Sequence, residues 1–65
     1  MTFTANAPDQ YLRDHIAINR AQIPFFMARR FASDRKIAFG ARHSVRWAIR
    51  TIREYSAELE RRGLA

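Results

Sequence analysis

The chain has no cysteine, which removes disulfides and thiolate metal sites from consideration. Only His15 and His43 could offer imidazoles, and neither belongs to a cluster with zinc spacing. No metal and no cofactor are expected. Glycine occurs twice, too rarely for a glycine-rich phosphate loop. Long apolar runs are missing as well. The longest uncharged stretch, residues 21–28, falls far short of the ~20 residues needed to cross a bilayer. Residues 1–7 lack the basic and apolar regions of a signal peptide, so a cytoplasmic location is the default expectation.

Catalytic groupings are equally scarce. Asp14 and His15 are neighbours in sequence, so a helix would point them about 100° apart, which prevents a relay. Ser33, Ser44 and Ser56 have no identifiable base, and His15 falls on an apolar helix face where a packing role is usual. No catalytic residue is assigned, and the chain is read as a non-enzyme.

What is present is positive charge. Residues 29–53 hold eight basic side chains and one acid, Asp34, for a local charge of +7. The remainder carries −1, giving the overall +6. Eleven of the twelve basic residues are arginine, whose planar fork suits phosphate and carboxylate. Such a lopsided block points to a polyanionic or acidic partner.

Sixty-five residues make a single small domain, 1–65, near the lower size limit for a chain that folds alone. With disulfides and metals excluded, oligomerisation is the remaining source of stability, and a homodimer is expected. Residues 1–6 read as a flexible arm. Asn6 is a candidate N-cap, with Pro8 in the first turn, and helix-spaced Tyr11, Leu12, His15, Ile16, Asn19 and Ile23 predict a helix over about 8–22. Pro24 should end or kink it and open a second helix over 24–32. Ser33 and Asp34 offer a turn and a new cap. Ala38, Ala41, Val45, Ala48, Ile52, Tyr55 and Leu59 then form the seam of a long helix over 35–62, stopped by Gly63. Gly40 either begins this helix or bends it. The fold class is all-α, two to three helices with the long C-terminal one packing in a small bundle.

On the long helix Arg42, Arg46, Arg50 and Arg53 fall within roughly 80° of one another, beside the seam. Among them only Arg50 has an acid four residues on, Glu54, while Glu58 can pair with Arg61 or Arg62. With Arg29, Arg30, Arg35 and Lys36 widening it, this stripe is the candidate contact for DNA or RNA phosphates. The alternative is a compact inhibitor or adaptor, of the phage or mobile-element type, docking on an acidic protein surface. Its anchors would be Trp47, Phe25 and Phe26. Trp47 lies far from the seam and is expected to cover a second packing face with Phe25, Phe26 or Phe31. Buried aromatics would favour nucleic acid, and an exposed Trp47–Phe patch would favour a protein partner. Residues 25–31 mix aromatics with arginines but are too short for stable attachment to a membrane surface.

Two known patterns fit these residues poorly. A helix-turn-helix with its turn at Gly40 would place Arg35, Lys36 and Arg46 where small or apolar residues belong. The ribbon-helix-helix family is similar only over residues 2–7, as a strand, and over residues 44–50. Nothing follows from it for any single residue.

Overall fold

The computed structural model describes residues 3–64, with side chains from Thr4 onward. Among them there is one turn of helix, α1 (Phe3–Asn6), and two long helices, α2 (Asp9–Arg29) and α3 (Arg35–Arg61). The long helices run antiparallel as a hairpin, 44 Å by 22 Å by 14 Å. No strand occurs among the described residues. The arm expected at residues 1–6 is a helical turn at Phe3–Asn6, while Met1 and Thr2 lie outside the described residues.

Two sequence expectations need correction at α2. Asn6 belongs to α1, and the N-cap position of α2 is Pro8, whose carbonyl accepts from the Leu12 N–H at 3.2 Å. Pro24 neither ends the helix nor starts another, because α2 runs unbroken through it to Arg29. A proline inside a helix removes one hydrogen bond, that of the carbonyl four residues back, and crowds the preceding turn. Pro24 is exposed, as is Arg20, whose carbonyl loses its helical partner, while Ile23, Phe26 and Met27 beside it are partly buried. Burial of those neighbours holds the helix together across the local defect.

The start of α3 follows expectation. Asp34 caps it, its carboxylate accepting from the backbone N–H groups of Lys36 at 2.8 Å and Ile37 at 3.3 Å. Gly40 is thereby five residues inside the helix rather than at its start. At the far end Gly63 takes φ +77°, a left-handed value that glycine adopts without strain. The Leu64 N–H then returns to the Leu59 carbonyl and the Gly63 N–H to the Glu60 carbonyl, each at 2.9 Å. This paired closure satisfies carbonyls that the helix end would otherwise leave open.

The core is small and sits at the end where the termini meet. Ala7, Leu12, Ile16 and Leu59 are buried there, with Tyr11, Ile52 and Tyr55 packed against them. Toward the inter-helix loop, the buried positions of α3 are Ala38, Ala41 and Ala48. The terminal end is also tied by one side chain. Arg62 donates to Asp9 at 2.5 Å and to Glu58 at 2.7 Å, and to the carbonyls of Thr4 at 2.9 Å and Ala5 at 3.4 Å. Glu58 also accepts from Arg61, so it pairs with both arginines.

These contacts have two consequences. Bonds from Arg61 first and Arg62 second hold the Glu58 carboxyl down from its ordinary 4.5 to about 2. A depressed carboxyl stabilises the fold above its unfolded value and loses that contribution as pH falls toward the folded value. Thermal melts followed by circular dichroism should therefore lose midpoint between about pH 4.5 and about pH 2. Glu58→Gln should lower the midpoint at neutral pH and remove this part of the acid slope. Separately, a Cβ built at Gly40 meets nothing within 4 Å. Gly40→Ala should raise the unfolding free energy by about 0.5–1 kcal/mol in denaturant titrations.

Candidate functional site

A two-helix hairpin has two flanks, and the sequence sorts different chemistry onto each. On one flank a shallow depression of about 360 Å³ is lined by Met27, Arg30, Phe31, Arg42, Val45 and Arg46. Farther toward the termini on the same side lies another of about 300 Å³, lined by Arg13, Ile16, Ala17, Arg20, Ser56 and Leu59. No carboxylate lines either one. Arg13 and Arg20 belong to α2, so the basic surface draws on both helices. Neither residue is among the contacts expected from the sequence. Their seven-residue spacing on α2 was the available signal, since it places both on one helix face.

The arginines of α3 behave largely as expected. Because α3 begins at Arg35 and passes straight through Gly40, Arg35 joins Arg42, Arg46 and Arg53 in one stripe about 27 Å long. Among the described residues none of these four forms an ion pair. Arg50 does, donating to Glu54 at 3.1 Å. Arg53 and Arg46 flank Ile49 on the outer face, next to that pair. Lys36 lies about 100° around the helix from Arg35 and does not continue the stripe.

At the α2 C-terminus the basic residues divide. Arg29 is exposed, its guanidinium 4.2 Å above the Phe25 ring, on the flank away from the stripe. Arg30 is half-buried, 4.6 Å above the Phe31 ring, and borders the basic depression. Its Nε is buried with no hydrogen-bond partner.

The aromatic residues depart most from expectation. Trp47 does not cover a second packing face, being 61 % exposed. Phe25 is 53 % exposed and Phe31 76 % exposed, while Phe26 is half-buried with an edge-on contact to Phe25. A core role for Trp47, Phe25 and Phe31 required a separate helix over 24–32, and the unbroken α2 removes that third face. Phe39, also unflagged by the sequence analysis, is 73 % exposed and borders Arg35 and Arg42.

The two flanks therefore divide the aromatics. Phe31 and Phe39 stand with the arginines near the inter-helix loop. Trp47 borders the opposite side, in a depression of about 580 Å³ shared with Thr51, Tyr55 and the charged Arg50, Glu54, Glu58 and Arg61. That side is also marked by Tyr11 stacked on His15, centroids 4.0 Å apart, with Tyr55 edge-on to the imidazole. Burial, and then a hydrogen bond with Tyr11, raises the Tyr55 phenol above its ordinary 10.0. His15 thus stacks between ring and helix, a packing role.

Among the described residues no group of three or more His, Asp or Glu side chains could hold a metal ion. Among them, too, no helix is long and apolar enough to cross a membrane. Comparison with protein-family models, curated proteins and solved structures finds no match to this chain.

Proposed function

We propose that this is a small nucleic-acid-binding protein that grips phosphates with its basic flank and works as a homodimer. The observation that carries the reading is the set of uncompensated arginines contributed by both helices to one side of the hairpin. Arg42, Arg46, Arg53 and Arg35 from α3 face solvent without carboxylate partners, and Arg13 and Arg20 extend the surface from α2. Such a surface displaces counterions from a polyanion, which makes affinity strongly salt-dependent and only weakly selective for sequence. Exposed Phe31 and Phe39 beside those arginines favour single strands, whose unpaired bases can stack on aromatic rings.

A second reading has an observation of its own. Trp47 and Phe25 are both exposed, and large exposed aromatics are frequent anchors of protein interfaces. In its strongest form the chain would be an inhibitor or adaptor, with arginines steering it to an acidic site on another protein.

Fluorescence anisotropy with labelled single-stranded RNA, single-stranded DNA and duplex DNA, at about 50 and about 200 mM salt, separates these readings. The first expects micromolar or tighter binding, tighter to single strands, with a steep salt slope. Replacing Arg42 and Arg46 together by alanine should reduce affinity about tenfold and lower the log–log slope by about 1.5. Unchanged affinity and slope in that variant, or no binding at the lower salt, would overturn the nucleic-acid reading and leave the acidic protein partner.

A further inference from the structure

The flank opposite the arginines carries an ordered pattern on the outer face of α2. Asp14, Ile18, Ala21, Phe25 and Arg29 follow at spacings of 4, 3, 4 and 4 and fall within about 80° of the helix surface. All five are exposed, Ile18 at 47 % and Phe25 at 53 %. The stripe is palindromic in character about its midpoint between Ala21 and Gln22. Ile18 and Phe25 stand equally far from that point on either side, as do Asp14 and Arg29. An antiparallel copy of α2 laid across the midpoint would set each Ile18 against the second copy's Phe25. The same operation sets each Asp14 against the second copy's Arg29. This self-complementarity is what a two-fold interface requires, each contact occurring twice.

Neighbouring features agree. Among the described residues Asp14 accepts from Gln10 at 2.7 Å and forms no ion pair. The opposite flank cannot serve as a self-interface, because two copies would bring unpaired arginines together. The need is also plain, since among the described residues Leu12 is the only large side chain buried completely.

We infer that a second copy of this chain covers the aromatic flank, through two-fold antiparallel contact of the α2 outer faces centred between Ala21 and Gln22. Ile18 and Phe25 form the apolar centre, and two Asp14–Arg29 pairs fix the register. The two basic flanks then point away from each other. This deepens the homodimer of the preceding reading and does not depend on what the arginines bind.

Sedimentation velocity over a micromolar concentration series tests it, with no nucleic acid present. The unmodified chain should sediment at twice its 7.6 kDa mass. Phe25→Glu should sediment as a helical monomer. Asp14→Arg and Arg29→Asp should each weaken dimerisation on the order of tenfold, and the two combined should recover most of the loss. That recovery distinguishes a paired register from general destabilisation and holds even where Phe25→Glu impairs folding. A monomeric unmodified chain overturns the inference, as does a double charge swap no better than either single one. Anisotropy on the same proteins reads the arginine flank independently, so failure of the dimer and failure of phosphate binding remain separate results.

Discussion

Arg62 ties together parts of the chain that are distant in sequence. One guanidinium reaches the first helical turn through two carbonyls, the start of α2 through Asp9, and the end of α3 through Glu58. It is largely buried in doing so, with its side chain 18 % exposed. A partly buried cation is tolerated where its donors are satisfied, and here anionic and carbonyl oxygens satisfy them. The clasp lies beside Leu12 and Leu59, so the polar knot and the apolar cluster reinforce one another. The register of the hairpin is set at this end.

The other end is built on a different principle. Ala38, Ala41 and Ala48 let the helices approach closely but bury little apolar area. Bulk lies outside instead, in Phe25, Phe31, Phe39 and Trp47. In a chain of this size such a distribution leaves large side chains without an intramolecular place, because two helices enclose one seam only. Exposure of these rings follows from the helix count, and their division between a basic flank and one of mixed charge follows from where they fall on each helix.

Much of this was legible in the sequence, for identifiable reasons. The seam of α3 showed in its spacing, and Asp34 marked its start because a carboxylate at that position satisfies open N–H groups. The arginine stripe followed from the same periodicity. Pro24 misled because its cost is local, whereas the packing of Ile23, Phe26 and Met27 that overrides it is tertiary. The misplacement of Trp47 is a consequence of the same error, since a spurious helix supplied the face it was meant to cover. Arg13 and Arg20 went unnoticed because charge was read along one helix at a time. Their meaning appears only when α2 and α3 lie side by side.

The Arg62 clasp also bears on the order in which the structure can assemble. Its partners Thr4 and Asp9 are 58 and 53 residues away, whereas the cap at Asp34 joins residues two and three apart. Closing a long loop costs more chain entropy than closing a turn. The capped turn is therefore the inexpensive first event, and the guanidinium knot can form only after both helices have aligned. A hairpin built this way closes from its loop toward its termini, and its most strongly tied end is the last to become native.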